Sequence, residues 1–149
     1  MTPKRLPPDD PREWLNRARA NLARAKATTS GGYLEDLCFD AQQATEKAIK
    51  AVFISRAERF PFLHDLEKLL GILEQNGQRI PQYVWQAEHL SRYAVATRFP
   101  GIAAPVTRRE YRRAIRIAAA VLRWAERQIE IGGKGVLATK RSGDPGAIG

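Results

Sequence analysis

Apolar side chains recur along this chain at intervals of three and four, the period of one face of an α-helix, and no stretch alternates convincingly as a strand does. Five helices follow from that pattern. The first opens at Asp10, which can cap, with Pro11 at the first helical position and Glu13 where a capping box places its acid. Trp14, Ala18, Leu22 and Ala25 then form one stripe, which Thr28-Thr29-Ser30-Gly31-Gly32 breaks. The second helix is expected from about Tyr33 to Arg56, buried along Leu34, Leu37, Cys38, Ala41, Ala44, Ala48, Ala51 and Val52. Its alanine ridge lets a neighbouring helix approach closely. Gln42, Gln43, Thr45, Glu46 and Lys47 are assigned to exposed and bundle-edge positions, and Phe60-Pro61-Phe62 ends the segment.

The third helix is short, carried by Asp65, Leu66, Leu69, Leu70 and Leu73 and closed by Asn76-Gly77. The fourth starts at Ile80-Pro81 and runs through Val84, Ala87, Leu90, Ala94 and Thr97 to a corner at Pro100. After the loop from Gly101 to Val106, Thr107 caps the fifth helix with Glu110 as its reciprocal partner. Tyr111, Ala114, Ile115, Ala118, Val121, Leu122, Ala125 and Ile129 are its packing side. From Gly132 the chain turns glycine-rich and loses its period. The expected organisation is an N-terminal extension over residues 1–9, an all-α antiparallel up-and-down bundle of four to five helices over 10–131, and a flexible, basic Gly-rich tail over 132–149.

Length and composition agree with that picture. A chain of 149 residues suits one domain with one core, and 44% hydrophobic with 28% charged residues is ordinary for a globular protein. No apolar run reaches the roughly 18 to 20 residues of a membrane span, and the N-terminus is charged without a following apolar stretch. The expected location is the cytoplasm. Cys38 is the single cysteine, which excludes an intramolecular disulfide and a cysteine-based metal cluster, and it reads as a buried small hydrophobe.

The formal net charge of +9 changes the picture more. Arg12, Arg17, Arg19, Arg24 and Lys26 carry the excess on the first helix, and Arg108, Arg109, Arg112, Arg113, Arg116, Arg123 and Arg127 on the last. Such a surface favours polyanions, RNA or an acidic protein, or is simply a solvated helix face.

Three passages together resemble a known family. "CFDAQQATEKAIKAVFI" in the second helix, "HDLEKLL" in the third and "LSRYAVATRFPG" in the fourth are similar, in order and spacing, to the HEPN domain, the module named for higher eukaryotes and prokaryotes nucleotide binding. The likeness covers residues 12 to 131. It implies an antiparallel bundle, a homodimer, and work beside a minimal nucleotidyltransferase encoded nearby. Many members are ribonucleases marked by an arginine, four to six residues, then a histidine, late in the bundle at the dimer seam. There the histidine handles protons as a 2′-hydroxyl attacks the adjacent phosphate, and the arginine steadies phosphate charge.

This chain departs from that mark. Arg92 matches the arginine, but Tyr93, Ala94, Val95, Ala96, Thr97 and Arg98 follow it, and the nearest histidine, His89, lies upstream. Tyrosine and arginine are poor proton shuttles near neutrality. The spacing does occur in Arg59…His64, but 18 arginines in 149 positions make about 0.7 accidental matches expected. His64 before Asp65 reads as ordering a helix start.

Other constellations add little. Gly133-Lys134-Gly135-Val136-Leu137-Ala138 lacks the strand and helix that give a dinucleotide loop its mechanism. His64-Asp65 and Glu88-His89 are the only histidine–acid neighbours, so no metal and no cofactor are expected. Trp14, Trp85 and Trp124 lie on three helices, as core or subunit contacts rather than base-stacking platforms. Arg98 has two readings, a cation bonding the last carbonyls of the fourth helix or a phosphate ligand shared with Arg92 of a second subunit. Asp40 and Glu46 are expected to pair with these arginines if the second helix lies alongside.

The function read from the sequence is therefore a noncatalytic or degenerate HEPN protein. It would be a helical homodimer binding a cognate nucleotidyltransferase in a toxin–antitoxin-like unit, with Arg92, Tyr93 and Arg98 as residues for nucleotide or RNA. The alternatives are a metal-independent endoribonuclease using Arg92, Tyr93 and Arg98 or the Arg59/His64 pair, or an RNA- or nucleotide-binding module without cleavage.

Overall fold

The computed structural model describes residues 4–27, 32–95, 100–101 and 103–141, with side chains through residue 132. Four α-helices and one 3₁₀ helix account for its regular structure: α1 (Pro11–Lys26), α2 (Leu34–Ser55), α3 (Leu66–Gln75), η1 (Gln82–Ala94) and α4 (Arg108–Arg141). No strand occurs among the described residues. The break at Thr28–Gly31, and Thr97, Arg98 and Phe99 at the end of the fourth segment, lie outside the described residues, as do 142–149.

Cross-links fix the antiparallel arrangement. Arg19 near the middle of α1 bonds Glu126 near the middle of α4, while Ala25 at the end of α1 accepts from Tyr111 at the start of α4, 2.6 Å away. On the other face of α1, Arg24 and Asn21 reach Asp40 of α2, and Asn21 also reaches Lys47 one to two turns on. α2 lies at the centre, packed on α1 and α4, with η1 bridging α2 and α4 and α3 packed on η1.

The alanine ridge explains the central position. Ala41, Ala44, Ala48 and Ala51 are fully buried, as are Ala18 and Ala25 of α1 and Ala118 and Ala125 of α4. Small side chains on facing helices bring the axes close. Larger residues, among them Phe53, Ile49, Leu69, Leu73 and Trp124, fill the flanks. Phe60 ties the α2–α3 loop to this core, edge-on to Trp14 at 5.0 Å and to Phe53 at 6.5 Å.

Being covered on all sides, α2 buries polar positions that an edge helix would expose. Gln42, Thr45 and Glu46 are inside, a correction to the exposed and edge placement that residue type suggested, and Lys50 is buried with them. They satisfy one another, as burial requires. Gln43 donates to Gln42 at 2.7 Å, Gln42 to Glu46 at 3.0 Å, Lys50 to Glu46 at 2.9 Å, and Thr45 to the Ala41 carbonyl at 2.9 Å. His64 Nδ1 completes the set, 2.9 Å from Glu46.

Helix ends follow local chemistry. Asp10 caps α1, accepting from the Arg12 N–H at 2.9 Å. Glu13 does not close a capping box with it. One of its oxygens takes the Leu6 N–H at 2.8 Å and the other the Arg17 guanidinium at 2.6 Å, so Glu13 holds the N-terminal strap instead. α2 and α3 both end in Schellman motifs. Glu58 N–H bonds the Phe53 carbonyl and Ala57 N–H the Ile54 carbonyl; Gln78 and Gly77 repeat the pattern on Leu73 and Glu74. The left-handed residue is Gly77 in one (φ 102°) and Ala57 in the other (φ 57°).

Two elements differ from the expected course. The last helix continues past Ile131, where the apolar period ends, to Arg141. Propagating a formed helix adds a hydrogen bond per residue, against about 1 kcal/mol for each glycine. The fourth helix is a 3₁₀ helix rather than an α-helix. Its buried residues are Val84, Ala87, Leu90 and Tyr93, a strict spacing of three that matches three residues per turn. Tyr93 takes the inward position that a 3.6-residue period assigns to Ala94.

Candidate functional site

A three-residue turn stacks side chains three apart directly above one another. In η1 the row beside the buried one is Tyr83, Gln86, His89 and Arg92. This row faces α4. Tyr83 accepts from Arg127 at 2.7 Å, Gln86 accepts from Arg113 at 3.5 Å, and Arg92 donates to Glu110 at 3.3 Å. Between the last two contacts lies a cleft of about 80 Å³ lined by His89, Leu90, Arg92, Tyr93, Glu110, Arg113, Ala114 and Ile117. That is room for a few waters or one phosphate group.

Glu110 is fixed from two sides. Thr107 N–H donates to one oxygen at 3.0 Å while the Thr107 hydroxyl accepts from Glu110 N–H at 3.1 Å, the reciprocal box the sequence predicted. Those bonds hold the Glu110 carboxyl below its usual range, and Arg92 adds to the effect. The guanidinium of Arg92 stays half exposed and lies 5.3 Å from the Tyr93 ring. Tyr93 is buried, and burial pushes its phenol upward, further from titration near neutrality. His89 is exposed, its Nε2 4.0 Å from Glu88.

The cleft thus gathers Arg92 and Tyr93, named from the sequence, with His89 and Arg113. Arg98 lies outside the described residues. In the sequence Arg113 is one arginine among many; only the register of η1 against α4 distinguishes it. The motif's direction sets His89 aside because it precedes Arg92, but a 3₁₀ helix brings residue i−3 onto the same face. Of the expected pairings of Asp40 and Glu46, neither forms with Arg92, and Arg98 lies outside the described residues. Asp40 serves Arg24 and Asn21, Glu46 serves Lys50 and His64, and the carboxylate on Arg92 is Glu110. Arg59 is exposed, and His64 points to Glu46.

Charge is unevenly neutralised. On α1, Arg12, Arg17, Arg19 and Arg24 pair with Asp10, Glu13, Glu126 and Asp40. On α4, Arg109, Arg113, Arg116, Arg123 and Arg127 follow spacings of four, three, seven and four, so they form one exposed ridge. None of these five forms an ion pair among the described residues. The uncompensated positive charge therefore flanks the cleft. No three histidine, cysteine or carboxylate side chains converge as a metal site among the described residues, and no described helix is long and apolar enough to cross a membrane.

Comparison with known proteins agrees with this architecture. TT1696 from Thermus thermophilus superimposes with a TM-score of 0.69 at 29% identity, over 80% of this chain and 98% of that one. ST0689, described as an archaeal HEPN homologue, gives a TM-score of 0.65 at 28% identity, over 85% of this chain and 99% of its own. No curated protein matches the chain. The HEPN domain family matches residues 11–128, which takes in α1 through most of α4 and both walls of the cleft: the chain belongs to the HEPN domain family.

Proposed function

We propose that this HEPN protein is a cytoplasmic homodimer that binds a phosphate-bearing polyanion, nucleotide or RNA, without cutting it. On this reading it works beside a cognate minimal nucleotidyltransferase in a toxin–antitoxin-like pair. The observation that carries the binding is the cleft itself. Arg92 and Arg113 open onto a space that fits one phosphate group, beside an arginine ridge that no carboxylate neutralises among the described residues. A permanently charged guanidinium holds an oxyanion well and exchanges protons badly. Tyr93, with its phenol pushed up, makes no better base. The partner rests on family resemblance, a weaker support than the cleft.

The test is fluorescence anisotropy with a labelled single-stranded RNA over a salt series. Affinity should fall steeply with salt, and Arg92→Ala and Arg113→Ala should each reduce the slope of log K on log salt by about one. Salt-independent or absent binding removes the reading. Light scattering tests the dimer, and co-purification with the neighbouring gene product tests the partner; no complex at micromolar concentration would remove the latter.

A second reading, a metal-independent endoribonuclease, is favoured by one observation: His89 lines the same cleft as Arg92. Histidine is the side-chain type that exchanges protons near neutrality, and a positioned imidazole beside a guanidinium is a sufficient pair for 2′-hydroxyl attack. Cleavage of RNA in chelator, lost in both His89→Ala and Arg92→Ala, would replace the noncatalytic reading with this one.

A further inference from the structure

A second cavity lies on the far side of α1 from α4. The strap of residues 4–9 folds back over the start of α1, held by the bond from Leu6 N–H to Glu13 at 2.8 Å and from the Trp14 indole N–H to the Pro8 carbonyl at 2.7 Å. Beneath it Leu6, Pro8, Glu13, Trp14, Arg17 and Lys47 line a half-open groove of about 450 Å³, a volume in the range of small-molecule sites. Three walls are apolar: Leu6, Pro8 and the Trp14 ring. The floor is cationic.

The charges there do not balance. Glu13 spends one oxygen on Leu6 and the other on Arg17, so this pair is internally neutral. Lys47 is left over. It is half-buried, and its ammonium has one hydrogen bond, 2.6 Å to the amide oxygen of Asn21, and no ion pair among the described residues. Asp40, two turns away on α2, is taken by Arg24 and Asn21. An ammonium carries three donors; one of Lys47's goes to Asn21, and the side chain lines the cavity. Burial, then the nearby Arg24 and Arg17, push the Lys47 amine down, and the carboxylates of Glu46 and Asp40 offset only part of that push.

We propose that this cavity binds a small aromatic oxyanion, its ring between Leu6, Pro8 and Trp14 and its charged group on Lys47 with the free guanidinium nitrogens of Arg17. The ring replaces water on three apolar surfaces; the oxyanion supplies the direct ion-pair partner that Lys47 does not have among the described residues. The strap forms the roof, so ligand and strap stabilise each other. The site is separate from the η1–α4 cleft and does not depend on the function proposed for it.

The probe is 2-naphthoate, titrated into ¹⁵N-labelled full-length protein. Expected are saturable shifts confined to the Trp14 indole and the amides around Leu6, Arg17 and Lys47, with intermolecular NOEs from naphthoate ring protons to Leu6 and Trp14. 2-Naphthamide, which keeps the ring, and acetate, which keeps the charge, should each bind at least tenfold more weakly. Lys47→Met should weaken naphthoate at least tenfold while leaving the rest of the spectrum and RNA affinity unchanged. Because the NOEs are read on the unaltered protein, a misfolded variant would not shelter the idea. Absence of shifts at millimolar naphthoate, equal binding of the amide, or full affinity in a folded Lys47→Met protein would overturn it.

Discussion

Replacing Lys50 with methionine tests the polar heart of the fold. Lys50 Nζ and Glu46 stand 2.9 Å apart, with side chains only 8% and 6% exposed, so neither charge is served by bulk water. Burial alone raises the Glu46 carboxyl. The bonds from Lys50 and His64 outweigh burial and hold it below the usual glutamate range. Its native carboxyl being lowered, Glu46 stabilises the fold above the unfolded glutamate value, and this contribution is lost as pH falls through the native one. Methionine keeps Lys50's volume near the Phe60 ring, 4.9 Å from the ammonium, but strands the carboxylate. Removing one partner of a buried pair costs about 3–5 kcal/mol. Gln42 and His64 still reach Glu46, which places the loss near the lower end. For a chain of this size about 3 kcal/mol lowers Tm by roughly 6–12 °C. Urea unfolding followed by far-UV circular dichroism measures the cost directly. Adding Glu46→Gln, which removes the charge but keeps an acceptor for Gln42, should restore most of it. The deficit of the single variant should also shrink on acidification, as the stranded carboxyl takes up a proton. A loss under about 1 kcal/mol, or one that neither the second substitution nor acid repairs, would refute the account of a desolvated pair.

Three further predictions concern local features. Ala57 sits at φ 57° in the motif that ends α2, where its Cβ is disfavoured, so Ala57→Gly should raise stability by about 0.5–1 kcal/mol in urea melts. Tyr111→Phe should cost about 1–3 kcal/mol by the same measurement, because the Ala25 carbonyl at the end of α1 loses a buried donor 2.6 Å away. Burial first, with Glu110 and Glu35 adding, pushes the Cys38 thiol up to about 12. Ellman's reagent at pH 8 should therefore leave the native protein unmodified and titrate one thiol in denaturant, and fast stoichiometric reaction of the native state would contradict its burial.

How much of this the sequence carried depends on which physical signal was in force. The Thr107–Glu110 box and the Asn76-Gly77 stop were legible because each is a local rule, satisfied within one turn, and the alanine ridge of α2 because it repeats at helical spacing. The burial of Gln42, Glu46 and Lys50 was not, because it depends on how many neighbours cover α2, a property of the whole bundle. Glu13 shows the same limit. Its spacing fits a capping box, but the strap competes for the carboxylate with a backbone N–H of its own and wins.

The fourth helix shows what such a miss does to function. Val84, Ala87, Leu90 and Tyr93 repeat every third residue, a period present in the sequence but assigned to an α-helix because 3₁₀ runs of such length are rare. In an α-helix, residues three apart diverge by about a sixth of a turn; in η1 they eclipse. That difference alone sets His89 over Arg92 and turns the row toward Arg113 and Glu110. The candidate chemistry of the cleft is thus a consequence of helix pitch. A substitution that returned η1 to 3.6 residues per turn would rotate His89 away from Arg92 without touching either residue. Any function requiring both side chains on one anion would fail with it, while a function carried by the arginine ridge of α4 would persist.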